Sequence, residues 1–90
     1  MTKTDMIDVI VQKLDLPRTV AERAVNLIFD EITSRLQQAD KVNVSGFGTF
    51  VVAERKARQG RNPKTGNTIE IPASRAAKFR PGKTLKEALN

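Results

Sequence analysis

"KVNVSGFGTFVVAERKARQ", residues 41–59, decides how this chain folds. Apolar and polar residues alternate, and many side chains are β-branched. That pattern predicts a strand rather than a helix. Gly46 and Gly48 flank Phe47, a spacing that predicts a turn or bulge presenting one aromatic ring. Strand character resumes at Thr49 and runs toward Gln59.

Downstream, "RNPKTG" (61–66) predicts a turn, with Gly66 available for positive φ. "NTIEIPASRAAKFR" (67–80) returns as a strand, with Ile69, Ile71, Ala73, Arg75, Ala77 and Phe79 on one parity. Pro72 lies mid-run and cannot donate to a ladder, which argues for an edge or exposed ribbon. Pro81-Gly82 ends the strand, and "KTLKEALN" (83–90) predicts a short terminal helix. Each run beside the turn is about a dozen residues long. At ~3.3 Å per residue they make a hairpin of roughly 40 Å. Its outer part, Glu54 to Ser74, has Ile69 and Ile71 as its large aliphatic residues and cannot bury itself against a core. Two readings are open: a disordered loop, or an arm that grips something outside the domain.

Upstream the period is helical. Thr2 with Asp5, and Thr19 with Glu22, predict two capping boxes. Met6, Ile7, Val9, Ile10, Val11 and Leu14 give one wide apolar face from Lys3 to about Leu14. Leu16-Pro17 breaks that helix. Val20, Ala24, Val25, Leu27, Ile28, Ile32 and Leu36 give a second stripe from Thr19 to about Gln38, with Phe29 beside it. The two form a helical hairpin.

Ninety residues make one small domain, 1–90, with the arm at about 54–75. Without the arm about 70 residues remain, a size at which a lone core is marginal. Phe29, Phe47, Phe50, Phe79 and the helix stripes are generous for such a body. Two chains sharing one core is the simplest resolution; a compact monomer is the alternative.

Composition narrows the function. The chain has no cysteine and no histidine. Disulfides, thiolate chemistry and ordinary zinc or haem ligation are therefore not expected, and the commonest general base is missing. There is no P-loop, no G-x-G-x-x-G and no plausible carboxylate pair in the basic half. Ser45 has no base nearby in sequence and reads as a turn residue. An enzyme, a cofactor or a small-molecule substrate is not expected. The N-terminus lacks a signal-peptide pattern, and no apolar run reaches membrane-spanning length, so the expectation is a soluble intracellular protein without a membrane partner. The Asn43-Val44-Ser45 sequon is then a chance match.

The formal net charge is +6. Residues 1–45 hold six Lys/Arg and seven Asp/Glu, whereas 46–90 hold ten and three. That asymmetry predicts one polyanion-facing surface. Arg55, Lys56, Arg58, Arg61 and Lys64 lie before or in the tip, Arg75, Lys78 and Arg80 after it, and Lys83 and Lys86 on the last helix. Guanidinium groups match phosphate geometry and stay charged. No aromatic residue lies between Val51 and Lys78, so stacking platforms for single strands are lacking. A duplex is favoured. Pro63 is open to two readings, a turn residue or an apolar wedge that enters between base steps from the minor groove. Asn62 is likewise a turn residue or a reader of minor-groove acceptors. Ala53, Ala57, Ala73, Ala76 and Ala77 let a ribbon lie close to a groove wall, or merely fill a strand. RNA binding is the serious rival, although a wedge has less to pry open in the wide, shallow RNA minor groove. A pure dimerisation module is a third.

With these residues assembled, the chain resembles the bacterial HU and integration-host-factor family of histone-like proteins. "GFGTF" (46–50), Arg55, Arg58, "GRNPKTG" (60–66), "IPAS" (71–74) and "FRPGKTLK" (79–86) carry the resemblance, which spans essentially all ninety residues. It implies an α+β fold: an N-terminal helical hairpin, a three-stranded antiparallel sheet with a long β-ribbon arm, and a short C-terminal helix, in an intertwined dimer. It implies that Pro63 inserts between base pairs and that Arg58 and Arg61 contact the minor groove. Arg55, Arg75 and Arg80 match basic arm and saddle positions, and Lys3, Lys83 and Lys86 match phosphate contacts. Lys56, Asn62, Lys64 and Lys78 join the expected DNA-binding set. Phe29, Ile32, Leu36, Val44, Phe47, Phe50 and Phe79 are the expected dimer core. The 70–90 segment is more similar to HU than to either host-factor subunit. A homodimer in the bacterial nucleoid is therefore expected, bending and compacting double-stranded DNA with weak sequence preference and favouring bent, nicked or gapped forms. A sequence-preferring host-factor-type subunit is the alternative. Relatives often carry a basic residue at Ala53, and many carry alanine at Lys56, so the charge is moved along the arm.

Overall fold

Thr2 opens the first helix. Its Oγ1 accepts the Asp5 N–H at 3.1 Å, and the Thr2 N–H donates to the Asp5 carboxylate at 2.8 Å. This is the reciprocal capping box expected from the sequence. In the computed structural model, which describes all 90 residues, α1 spans Lys3–Leu14 and ends on Asp15 in the left-handed region. A short polar side chain tolerates that conformation.

The second helix, α2, spans Arg18–Gln37 and corrects one expectation. The Thr19/Glu22 capping box does not form. Pro17 takes the cap position with no side-chain hydrogen bond, and its carbonyl accepts the N–H groups of Val20 and Ala21 at 3.0 and 3.1 Å. The cap thus falls two residues before Thr19, which already lies inside the first turn. Arg18 instead donates to Asp8 across the hairpin, and this bond raises the guanidinium pKa above its ordinary value. Ile7, Ala21 and Val25 are buried between the helices, with Ile10 and Val11 packed against them. Ala21 has no exposed surface, so the helices meet there at close range.

Five strands follow: β1 Val42–Val44, β2 Gly48–Arg55, β3 Arg58–Arg61, β4 Thr68–Ile71 and β5 Ser74–Pro81. A short helix α3, Lys83–Leu89, closes the chain. β1, β2 and β5 form a three-stranded antiparallel sheet with β2 in the centre. Between β1 and β2 the Phe47 N–H donates to Val44 O at 3.0 Å, and Gly46 has φ +79°. This is a closed turn and not a bulge. Gly46 supplies the positive φ without the penalty of a Cβ.

The long hairpin is not one continuous ladder. β3 and β4 form a separate two-stranded ribbon. The register nevertheless runs through the gap: Arg55 faces Ser74, and three residues on Arg58 faces Ile71. No residue is inserted. Hydrogen bonding lapses where Lys56 and Ala57 pass Pro72 and Ala73, and Pro72 has no N–H to give. The side-chain parity of the sheet therefore carries into the arm.

The molecule is elongated. Its Cα radius of gyration is 19.0 Å and its extents are 60 × 32 × 27 Å. A compact chain of this length would have a radius near ~12 Å. Only four residues are buried. Phe29, Phe47 and Phe79 remain 42%, 45% and 38% exposed, which leaves the aromatic side of the sheet open.

Candidate nucleic-acid interface

Strand parity sorts the sheet into two faces. Val42 faces Phe50, and Phe50 faces Phe79. The ring centroids of Phe50 and Phe79 are 4.9 Å apart, and Phe47 joins Phe79 at 5.1 Å. With Val44, Val52 and Ala77 these rings make the apolar face. Ile32 and Leu36 of α2 are half-buried, whereas Phe29 and Val44 stay exposed. Of the expected core residues, Val44, Phe50 and Phe79 share one face of the sheet with Phe47 at its turn.

The other face is open and basic. Val51 faces Lys78 and Thr49 faces Arg80, while Ala53 lies opposite Ala76. Thr49 Oγ1 and Asn43 Oδ1 are hydrogen-bonded at 3.3 Å on this face. Continuing the register places Arg55 and Arg61 on the same side as Lys78 and Arg80. Lys56 and Arg58 fall on the opposite parity, beside Ile69 and Ile71. These isoleucines lie over Gly60, where a Cβ would stand 3.0 Å from Ile71 Cδ1. Small residues at 53, 57, 73 and 76 keep both faces low along the arm's root.

The tip is a closed polar turn. The Asn62 N–H donates to Asn67 O at 2.9 Å, and the Gly66 N–H donates to Asn62 O at 2.8 Å. Asn62 Oδ1 accepts the Lys64 N–H at 2.9 Å, and Gly66 has φ +71°. Asn62 is therefore a turn residue whose side-chain oxygen is committed; its amide N–H groups remain as donors. Pro63 stands exposed at the far end of the arm with no N–H to satisfy.

Arg55, Lys56, Arg58, Arg61, Lys64, Lys78 and Arg80 are all exposed and form no ion pair. An anion does not have to displace an acidic partner to reach them. The expected body contacts differ. Lys3 Nζ donates to Asn26 Oδ1 at 2.8 Å across the helix pair. Lys83 stands 3.9 Å from Glu87, a loose exposed pairing worth little. Lys86 is exposed on α3. Arg75 departs most from expectation: its Nη2 donates to Leu36 O at 2.9 Å and Gln37 O at 3.0 Å, at the end of α2. Lys41, not singled out from the sequence, borders with Asp40 the same open hollow as Lys78 and Arg80. It sits in the charge-balanced half, and only its position just before β1 hinted at the sheet face.

This geometry, a two-helix body carrying a sheet and a basic ribbon, recurs in known proteins. A family model described as bacterial DNA-binding protein matches residues 1–90. The chain belongs to this family. It is 48% identical over 90 residues to the "DNA-binding protein HU-1" of Halalkalibacterium halodurans, covering 100% of both chains. It is 46% identical to the "Integration host factor subunit alpha" of Anaeromyxobacter, covering 100% of this chain and 91% of that one. Among solved structures it is similar to an Anabaena HU–DNA cocrystal structure, with a TM-score of 0.85, 37% identity and coverage of 99% and 97%. HU from Thermotoga maritima matches with a TM-score of 0.69 and 26% identity over the whole of both chains. The HU-type α+β fold is thereby established for this member of the family. No helix is long and apolar enough to cross a membrane.

Proposed function

We propose that this protein is a histone-like architectural protein of the bacterial nucleoid. It binds duplex DNA largely without sequence preference and bends it with two β-ribbon arms. DNA binding as such follows from membership of the bacterial DNA-binding protein family. The observation that carries the reading further is the unpaired basic track Arg80–Lys78–Arg55–Arg61, running from the sheet to an exposed Pro63.

In this reading the open face of the sheet is the saddle, and Lys78 and Arg80 hold phosphates there. The arm, about 54–75, follows the minor groove with Arg55, Lys56, Arg58, Arg61 and Lys64 against its walls and phosphates. Pro63 enters a base step as a wedge, and Asn62 donates its amide to groove acceptors. Unstacking one step costs about a few kcal/mol. A nick or gap lowers that cost, so bent, nicked or gapped duplexes bind best. Lys83 and Lys86 meet the flanking backbone, and Lys3 does so if it leaves Asn26.

The protein works as a homodimer. Phe29, Phe47 and Phe79 are exposed, and Ile32, Leu36 and Phe50 are only half-buried. A second copy would close that face and place two arms on one duplex. The chain acts without a cofactor, in the cytoplasm, as an architectural protein and not an enzyme. A host-factor-type subunit with sequence preference is the second reading, supported by the near-equal 46% identity to a host-factor subunit.

The test is an anisotropy titration at several salt concentrations. The ligands are two unrelated duplexes, one of them also with a gap, and an RNA duplex. Equal binding to both intact duplexes, a steep salt slope and tighter binding to the gap are expected. Preference for RNA overturns the ligand. Preference for one sequence by orders of magnitude favours the host-factor reading.

A further inference from the structure

Arg75 has a job that its charge alone does not announce. It stands at the root of the arm, second residue of β5, on the face opposite Lys78 and Arg80. Glu54 faces it across the ladder on that same side, yet the two form no ion pair. The guanidinium turns instead to the last carbonyls of α2, with Nη2 2.9 Å from Leu36 O and 3.0 Å from Gln37 O. These carbonyls are the negative end of a 20-residue helix, and a helix leaves its final carbonyls without intrahelical donors. The chain reverses just beyond through Ala39 at φ +57°, a conformation glycine would adopt without strain. The helix end is thus closed partly by its own turn and partly by a residue 38 or 39 positions away.

We propose that Arg75 is a positioning residue, which fixes the direction in which the arm leaves the body and is not itself a phosphate contact. β2 and β5 are paired through Arg55 and Ser74, and beyond that point the ladder lapses. Arg75 therefore ties the last paired segment to the C-terminal end of α2. Arm direction then sets how far apart two arm tips stand and how sharply a duplex between them bends. This last step rests on the DNA-bending reading; the tie between arm and body does not.

The experiment uses the full chain. The protein has no cysteine, so Asn67→Cys at the tip and Gln12→Cys on the body, both exposed and without side-chain hydrogen bonds, give two spin-label sites. Labelled protein is diluted with unlabelled protein, and the tip-to-body distance distribution is read by pulsed electron resonance without DNA. Arg75→Met keeps the apolar stem and removes the donors. Arg75→Gln, shorter and neutral, is read in the same way if the methionine variant does not fold by circular dichroism. The expected result is a broader tip-to-body distribution, a broader DNA end-to-end distribution by energy transfer, and an unchanged slope of log K against log salt. Were Arg75 a phosphate ligand, its removal would instead lower that slope by about 0.9 for each phosphate it had neutralised. A lower slope with an unchanged tip distribution overturns the proposal. So does a lowered melting temperature with no change in tip distribution, which would make Arg75 a helix cap alone. If the parent protein does not bend DNA, the bending reading fails, while the DNA-free distances still decide the role of Arg75.

Discussion

Gly48 lies beneath the ring of Phe79. A Cβ at position 48 would stand 2.5 Å from Phe79 Cζ and 2.5 Å from the Arg80 carbonyl oxygen. One neighbour is the β5 backbone, so a side-chain rotation alone cannot relieve the clash. Gly48→Ala should cost about 2 kcal/mol through overpacking. At the 4–8 °C per kcal/mol typical of such domains, Tm falls by roughly 10 °C. Gly46→Ala meets nothing within 4 Å but must hold φ +79°, so it should cost about 1 kcal/mol through backbone strain alone. Melts of both variants at one protein concentration check the order.

Pro63→Ala separates bending from binding. The tip's hydrogen bonds run through Asn62, Lys64, Thr65, Gly66 and Asn67 and do not use Pro63. The turn should therefore survive the substitution. At low salt the bend, read by energy transfer between duplex ends, should fall more than affinity does. A variant that bends DNA as its parent does would remove the wedge.

Arg61→Ala and Arg58→Ala should weaken binding across unrelated sequences. Each phosphate left without its cation lowers the salt slope by about 0.9, so two arms in a dimer give nearly twice that. The two arginines lie on opposite parities of the ribbon. Arg61 shares its side with Lys78 and Arg80, and its removal should flatten the slope at least as much as that of Arg58. An effect confined to one base sequence would point to base readout instead.

Phe79→Ala tests the shared core. Phe79 touches both Phe47 and Phe50, yet is 38% exposed in one chain. If a second copy covers it, the parent's Tm rises with protein concentration. The variant should lose about 3–5 kcal/mol and sediment as a monomer or unfold. A parent that sediments as a monomer with concentration-independent Tm would contradict the dimer.

Amide exchange should grade the molecule. Ile7, Ala21 and Val25 form the buried core, whereas β3 and β4 are flanked by exposed side chains and an interrupted ladder. Arm amides from Arg58 to Ile71 should exchange well before those of α1 and α2, because local opening there breaks few apolar contacts. An arm as protected as the helices would show that it is held by something other than its own ladder.

The helical hairpin, the strand that begins after Asp40, the Gly46 turn and the Gly66 turn were legible in the sequence. Each depends on spacing over a few residues: apolar stripes at helical period, alternation at strand period, and glycine where φ must be positive. Other features were not legible, because they depend on what lies across space. Thr19 and Glu22 have capping spacing, yet Pro17 took the cap position. Pro72 marked an edge or exposed ribbon, as found, but that the ladder lapses beside it without a shift of register came only from the fold.

Residue order alone was enough to show which segments are helix and strand, which half carries the charge, and that the basic ribbon carries Pro63 at its tip. Those properties are local or additive along the chain. Which basic residues share a face, and which do not, followed from the pairing of the strands. Side-chain parity becomes a surface only once strands are in register, and Arg75 became a tether only when β5 passed the end of α2.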